Sequence, residues 1–288
     1  MLDATATPTS LGLWSRPWRR GLLTDKGALI GFVLVAITVL SAIFVPLMGL
    51  PSPTATAVTA ELQDPLTGSH LLGSDQLGRD TLSRLVWGTR PALVEGVLPV
   101  AIAALIGSLI GGIAGFLGGH AESVTMRGVD ILLALPPVMM GIAVAATLGP
   151  GVRNVVIAMT IVLVAPITRV ARGAVLNVKN EVFVDAARSL GVPERRIFLR
   201  HVLPNAASPI IAYAFSLVGI MIVFASGLSF LGLGVQPPTA DWGRMVNEGR
   251  LLLSTDPWLS TFPGLAIFLV GLGFGLVGEW LDDMVGRG

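Results

Sequence analysis

Six long apolar segments dominate this sequence and restrict its fold more than any other feature. Each is about 20 residues or longer, the length at which an α-helix crosses the hydrocarbon core of a bilayer. The segments are residues 28–50, 91–118, 123–148, 152–176, 206–234 and 261–281. Because lipid offers no hydrogen bonds to the backbone, a segment that crosses it must satisfy its own backbone groups. We therefore predict an all-α membrane protein with six transmembrane helices.

The composition agrees with a membrane protein. Hydrophobic residues make up 53% of the chain and charged residues 13%, whereas about a quarter of the residues in a soluble domain are charged. The mean hydropathy is +0.78. No basic stripe is interleaved with aromatic residues, so we expect lipid rather than nucleic acid as a partner.

Catalytic signatures are missing from the sequence. There is no cysteine, and the three histidines lie far apart along the chain. The G-x-x-x-x-G-K-[ST] loop that cradles ATP phosphates is absent, as are H-E-x-x-H and G-x-S-x-G. We therefore predict that this chain has no catalytic residue, binds no metal or cofactor and is not itself an ATPase.

The first apolar segment has a competing interpretation as a secretory signal peptide. Arg19 and Arg20 precede it, and the segment Ala55-Thr56-Ala57 follows. The apolar core of a signal peptide spans about 7–15 residues, and this run is longer. We therefore expect an uncleaved first transmembrane helix at 28–50.

The distribution of basic residues predicts the orientation. If the N-terminus is cytoplasmic, the inner segments carry thirteen of the 19 Lys and Arg residues. Basic residues favour the cytoplasmic side of a membrane. This places residues 1–27, the loop 177–205 and both termini in the cytoplasm. The loops 51–90 and 235–260 would be extracytoplasmic, the first with a short amphipathic helix whose apolar side carries Leu77, Leu82, Leu85 and Val86.

Regularly spaced glycines predict close helix packing. Gly107, Gly111 and Gly115 recur every four residues and therefore share one helix face, and Gly271 and Gly275 repeat the pattern in the last helix. Small residues on one face allow two membrane helices to approach closely. Prolines in or near the spans permit kinks, at Pro99, Pro136, Pro137 and Pro166.

Ionisable residues occur in or near the apolar segments, mostly close to their ends. We expect them to reach water there. A proton-coupled carrier, the alternative transporter class, requires an acid near the middle of the membrane and paired broken helices. Neither is evident. A membrane scaffold that transports nothing is a third interpretation. The residues concerned are Glu95, Asp130, Arg169, Arg172 and Glu279.

The charged segment 181–205 is the most informative part of the chain. Val182, Ala186 and Leu190 can share one face of a first helix, which Gly191 would end as a left-handed C-terminal residue. Pro193 suits the first turn of a second helix, which we expect to end at Pro204. The pair of alanines at 186–187 would suit a groove in a partner. An interfacial hairpin without a partner is the alternative.

This segment resembles the EAA loop of binding-protein-dependent ABC importer permeases. That loop reads Glu-Ala-Ala, three residues, Gly, nine residues, an apolar residue, one further residue and Leu-Pro. Asp185-Ala186-Ala187, Gly191 and Leu203-Pro204 have this spacing. Asp185 replaces Glu, which keeps the charge, and His201 occupies the usual apolar position.

Three further segments are similar to the dipeptide, oligopeptide and nickel branch of these permeases, the DppC/OppC type. They are residues 72–85, residues 228–243 with their Gln-Pro-Pro and Asp-Trp-Gly sequences, and residues 262–264. The resemblance covers about residues 70–283. After residue 283 the chain ends soon, where relatives usually continue into a short basic tail.

The resemblance implies a permease core, residues 91–283, of the type I importer fold in a bacterial cytoplasmic membrane. It implies a second homologous permease, two cytoplasmic ATPase subunits that hold ATP and Mg, and an external solute-binding protein. Short peptides are the expected cargo, with nickel, opines, glutathione and haem open. It assigns contact with the ATPases to Glu181, Asp185, Ala186, Ala187, Leu190, Gly191, Arg195, Arg196, His201, Leu203 and Pro204.

Overall fold

The computed structural model describes residues 25–67 and 70–286. The predicted cytoplasmic segment 1–27 therefore lies outside the described residues as far as residue 24. The helices are α1 (Lys26–Phe44), α2 (Thr81–Trp87), α3 (Thr89–Leu117), α4 (Gly119–Leu133), α5 (Pro137–Leu148), α6 (Val152–Lys179), α7 (Val182–Ser189), α8 (Glu194–Ile197), α9 (Leu203–Phe230), α10 (Trp242–Gly249) and α11 (Trp258–Gly286).

The all-helical architecture is confirmed, and one predicted span is broken. Helices α1, α3, α6, α9 and α11 are long and apolar enough to cross a membrane, whereas α4 and α5 meet at an angle of 84°. Pro137 begins α5, and Pro136 before it has an extended backbone (ψ 125°). A residue that precedes proline is driven out of the helical region. Segment 123–148 is therefore two helices rather than one.

Helices α3 and α6 run parallel in close contact. A Cβ built on Gly107 would lie 2.9 Å from Ile167, one on Gly111 2.1 Å from the carbonyl oxygen of Thr168, and one on Gly115 3.0 Å from that of Arg172. Because contacts advance in the same direction along both helices, the chain must return across the bundle between them. The bent α4–α5 pair makes that return and is the sixth crossing.

Helix α11 runs antiparallel to both α9 and α1. A Cβ on Gly219 would lie 2.4 Å from the carbonyl oxygen of Gly271 and 3.3 Å from the backbone nitrogen of Gly275, while a Cβ on Gly275 itself would meet nothing within 4 Å. In α1, a Cβ on Gly31 would lie 2.8 Å from Leu276. Residues 26 and 286 therefore lie at the same end of the bundle as the loop 177–205. We call this end the coupling face and the opposite end the distal face.

Two apolar clusters hold the bundle together. The larger one joins α3, α6, α9 and α11 with the distal helix α10. The smaller one lies beneath the loop 177–205 at the coupling face. Its fully or nearly buried members are Ala171, Ala174, Val175, Val184, Ile197, Val202, Ala206 and Ile210.

A short helix is present in loop 51–90 as predicted, but it does not include Leu77. Helix α2 starts after Leu77, which is 51% exposed, and it buries Thr81, Ser83 and Arg84. The Asp80 carboxylate caps α2 by accepting from the Ser83 backbone N–H at 2.7 Å. The polar side turns inward because charged partners are available there.

Candidate coupling site

Helix α7 ends in a turn that depends on Gly191. The backbone φ of Gly191 is +75°, a conformation that costs other residues energy. Its N–H donates to the carbonyl oxygen of Arg188 at 2.9 Å, and the N–H of Val192 donates to that of Ala187 at 3.1 Å. These two bonds make a Schellman motif. The predicted left-handed end of the first helix is therefore confirmed.

The two faces of α7 differ in burial. Val184 is fully buried in the cluster beneath the loop, and Ala187 packs against the same cluster. On the other face, Val182 is 82% exposed and Leu190 84% exposed, with Ala186 between them. The expected alanine pair is thus divided, since Ala187 turns inward and only Ala186 belongs to the outer face. The exposed side of α7 is therefore apolar along Val182, Ala186 and Leu190, and it has the exposed polar residues Asp185 and Ser189 beside them.

Ion pairs within the loop set its shape. The Arg188 guanidinium donates to Glu194 at 2.9 Å and to Asp185 at 3.1 Å, which ties α7 to α8 across the Gly191 turn. The hydrogen bond that Arg188 donates to Glu194 is the main reason that the pKa of Arg188 is raised. Glu181 is exposed and caps α7 through its backbone, because its carbonyl oxygen accepts from the Val184 N–H at 2.9 Å.

The second half of the loop does not end at Pro204, contrary to the sequence-based prediction. Helix α8 continues through a π-helical turn, Phe198–Val202, directly into α9. Pro204 lies in the first turn of α9, where the wider turn before it accommodates the missing N–H. Helix α8 and the membrane-spanning helix α9 therefore form one continuous helical segment.

Other residues that the sequence assigns to the loop occupy the same continuous helix. Arg195 and Arg196 are exposed on α8, and His201 and Leu203 are half-buried. Ile197 is fully buried in the cluster beneath the loop. The second half of the loop therefore presents basic side chains outward and buries Ile197 and Val202.

The loop is anchored to the end of α3. Phe198 contacts Phe116 at the end of α3, with ring centroids 5.0 Å apart. Lys179 at the end of α6 donates to the Phe116 carbonyl oxygen at 2.6 Å. Ion pairs from α6 to α4, Arg172 to Glu122 and Arg169 to Asp130, reinforce the same end.

The chain matches a known family over more than half of its length. Residues 107–288 match the model for binding-protein-dependent transport system inner membrane components. The chain belongs to this family. It is a permease subunit of an ABC importer in the inner membrane, and this membership implies ATPase and binding-protein partners.

Curated relatives resemble the permease over three quarters of its length or more. It is 38% identical over 270 residues to the dipeptide transport system permease protein DppC of Alkalihalophilus pseudofirmus, covering 93% of this chain and 88% of that protein. It is 38% identical to the probable D,D-dipeptide transport system permease protein DdpC of Escherichia coli, covering 88% and 85%. The glutathione transport system permease protein GsiD of Pectobacterium atrosepticum is 41% identical, with 75% and 72% covered.

Sequence reasoning missed two residues that shape the coupling loop of the permease. Val184 fixes α7 to the bundle, and Arg188 joins the two halves. The spacing of Arg188 from Asp185 is a usual one for a helical ion pair and was a usable signal. Burial of Val184 rather than Val182 was harder to predict because the two lie on opposite sides of α7 and both are valine.

Sequence reasoning also missed a buried ion network at the distal face, which we call the arginine clasp. It comprises Asp75, Arg79, Arg84, Arg244 and Glu248. Arg79 donates to Asp75 at 2.6 Å and to Glu248 at 3.2 Å, and Arg84 donates to the same two carboxylates, at 2.9 Å to Glu248. Arg244 donates to the other oxygen of Glu248 at 2.9 Å. The clasp joins the α2 region to α10.

The clasp changes the ionisation of Glu248. Burial alone would raise the pKa of this carboxyl, but the guanidiniums of Arg84, Arg244 and Arg79 hold the pKa below its ordinary value. In the folded permease, the clasp therefore favours the ionised carboxylate of Glu248 over its protonated form. A second contact, in which the Trp242 ring N–H donates to the Leu85 carbonyl oxygen at 2.8 Å, ties the same two segments.

Glu95 does not reach water, although its position near the end of a span predicted that it would. Its side chain is 1% exposed in α3, and Oε1 has no hydrogen-bond partner among the residues that the structure describes. The position of Glu95 near the end of an apolar segment therefore did not predict its burial.

Proposed function

We propose that this permease forms half of the pore of an ATP-driven importer of short peptides, driven through the coupling loop by partner ATPases. The cargo is supported by two relatives whose names specify dipeptides, each 38% identical over at least 85% of both chains. Glutathione, which the name of another relative specifies, is the second candidate. The complex would contain a second homologous permease, two ATPase subunits that hold ATP and Mg, and an external solute-binding protein.

The exposed apolar face of α7 is the observation that carries the coupling role. An apolar helix face in water is unfavourable unless a partner covers it. An exposed helix face suits insertion into a partner's groove when its apolar side chains recur at positions i, i+4 and i+8, as Val182, Ala186 and Leu190 do. The opposite face is fixed by Val184, and α8 continues into α9. A push on α7 would therefore move the ends of α3, α6 and α9.

We place the coupling face in the cytoplasm. Basic side chains concentrate there, including Arg195, Arg196 and Arg200 on the loop, in agreement with the positive-inside tendency. With six crossings, both termini then lie in the cytoplasm. A protease-accessibility assay in sealed vesicles, with tags after residue 199 and after residue 251, would test this orientation.

Leu190→Glu tests the docking face. We expect the variant to insert normally, to lose co-purification with the ATPase subunits by about tenfold or more and to lose uptake, because a buried charge without a partner is costly. Leu251→Glu is the matched control, since Leu251 is 80% exposed at the distal face. Equal ATPase recruitment by the two variants would refute docking at α7.

Gly191→Pro tests transmission rather than docking. Proline cannot adopt a φ of +75° and has no N–H for the bond to Arg188. We expect ATP hydrolysis to continue while uptake is lost in the reconstituted complex. Unchanged uptake would show that the turn does not transmit the motion.

The cargo is tested on the complete importer. Uptake of labelled dialanine into proteoliposomes should be competed by other dipeptides and not by Ni²⁺, opines or haem. Competition by glutathione with no effect of dipeptides would select the second candidate. Ligand identification on the co-purified solute-binding protein provides an independent measurement.

A further inference from the structure

The third membrane crossing is interrupted well inside the bundle, at residues 134–136 between α4 and α5. Helix α5 has 12 residues and is therefore about 18 Å long. It packs against α6 on its way from the distal face, since a Cβ on Gly141 would lie 2.7 Å from Met159. The hydrocarbon core of a bilayer is about 30 Å thick, so the break lies at membrane depth.

The break is exposed on the surface of the chain. Leu135 is 52% exposed, and Met139 in the first turn of α5 is 68% exposed. The ends of two helices meet here, and helix ends leave backbone groups without partners in their own helix. Non-helical backbone at membrane depth is tolerated only where protein buries it or where it lines a water-filled cavity. Lipid is therefore not the surroundings of this break.

An exposed ion pair one turn from the break favours water over a protein cover. Arg169 on α6 donates to Asp130 on α4, and their side chains are 53% and 61% exposed. Charged side chains within membrane spans face a bundle interior or a water-filled cavity, and covering them with an apolar surface is costly. Helix α3 provides the contrast, because its exposed side chains are all apolar, as contact with lipid requires.

We propose that the break between α4 and α5 and the pair of Arg169 and Asp130 form part of the wall of the water-filled path through the importer. The backbone at 134–136 faces this water, and the pair presents one cation and one anion to a passing solute. The inference rests on the proposed function, because the path is formed by the complete importer.

Cysteine accessibility tests the wall, because the chain has no cysteine of its own. Importers with Leu135→Cys or the control Leu105→Cys are reconstituted in nanodiscs and treated with a membrane-impermeant methanethiosulfonate. Leu105 is 65% exposed on α3 at a similar depth, since a Cβ on nearby Gly107 would lie 2.9 Å from Ile167. Because the reactive thiolate forms in water and not in lipid, we expect Leu135→Cys to react about tenfold faster or more.

Equal labelling rates at the two positions would overturn the proposal. If Leu135→Cys stays unreactive and cross-links to the second permease, the break belongs to the contact between the two permeases, and the proposal also fails. In proteoliposomes, labelling should block dipeptide uptake by Leu135→Cys relative to the same variant before labelling. Uptake by a fully labelled Leu135→Cys importer at the rate of the unlabelled one would contradict a position in the path.

A charge variant tests the ion pair. The ratio of labelling rates with a cationic and an anionic methanethiosulfonate at Leu135→Cys reports the local potential. Asp130→Asn leaves Arg169 without its anion, so this ratio should fall about fivefold. Glu61→Gln, which removes an exposed carboxylate from the loop 51–90, should leave the ratio unchanged. An unchanged ratio in Asp130→Asn would remove the pair from the wall.

The outcomes separate this wall from the proposed cargo. If Leu135→Cys is not labelled while the importer takes up dipeptides, the wall proposal fails alone. If Leu135→Cys is labelled faster than Leu105→Cys while the wild-type importer takes up no dipeptide, the peptide cargo is refuted and the wall remains.

Discussion

In the coupling loop, the ion pairs of Arg188 join residues three and six positions apart, and their acidic partners are more than half exposed. In the arginine clasp, the pairs reach 169 positions along the chain, and Arg84 is almost fully buried. Exposed local pairs contribute little to stability, whereas breaking a buried pair is costly. The clasp therefore fixes the tertiary structure of the distal face, and the loop pairs fix only a local shape.

The burial of individual apolar side chains also differs between the two regions. At the distal face, Trp242 is buried beneath Leu85 and completes its contacts within the chain. At the coupling face, Val182 and Leu190 remain exposed on α7. The apolar side chains of α7 therefore have no cover within the part of the chain that the structure describes, and we propose that an ATPase subunit covers them.

Arg84→Ala is expected to have the largest effect. It leaves Glu248 and Asp75 short of a buried cation, so the free energy of unfolding of the purified transporter should fall by about 3–5 kcal/mol. Thermal unfolding measures this change. Arg250→Ala, at the same face but outside the clasp, should cost less than about 0.5 kcal/mol. Similar losses of stability in the two variants would show that the ion pairs of the clasp do not stabilise the fold.

Val184→Ala is expected to have the next largest effect and to act only locally. Removing two methylene equivalents from a fully buried site should cost about 2 kcal/mol. Hydrogen exchange should rise at the amides of 182–192 and stay constant at those of 75–88. Val182→Ala is the matched control, because that side chain is exposed. Equal protection in both variants would mean that α7 is held by something other than Val184.

Local patterns predicted the coupling loop better than the distal face. The turn at Gly191 and the exposed face of Val182, Ala186 and Leu190 follow from helical spacing and from the φ that glycine permits. The prediction that the second helix ends at Pro204 was wrong. A proline can follow the end of one helix or lie in the first turn of the next, and here a π-helical turn joins the two helices.

The distal face depends on contacts between distant segments, so the sequence alone did not predict it. The motif at 72–85 shows alternating charges but not their partner Glu248, which is 164 positions from Arg84. Glu95 was expected at the water boundary because it lies near the end of an apolar segment, but its side chain is 1% exposed. The all-helical fold was predictable since each span is apolar within itself, whereas the 84° break in the third span required the structure.

Acid should weaken the clasp at the pH at which Glu248 takes up a proton. The folded-state pKa of Glu248 lies below its unfolded value, which is about 4.3 for a model glutamate. Its contribution is therefore complete above pH ~4.3 and is lost as the pH falls through the lower folded value. We expect amide protection at 242–249, corrected for intrinsic exchange rates, to stay constant from about pH 7 to 5 and to fall below about pH 4. Glu248→Gln should abolish this step, and a step that persists would assign it to another group.

Asp185→Asn is expected to have the smallest effect on stability and separates shape from docking. Asp185 is 70% exposed at its side chain, and its pair with Arg188 spans 3.1 Å, so its removal should change the free energy of unfolding by less than about 1 kcal/mol. Arg188 keeps its bond to Glu194, which should preserve the turn at Gly191 and the exchange of its amide. Any large loss of ATPase co-purification would then come from the partner's contact with Asp185 itself. Full recruitment would show that the apolar face of α7 carries the interaction without this charge, and Asp185→Lys would extend the same test to a reversed charge.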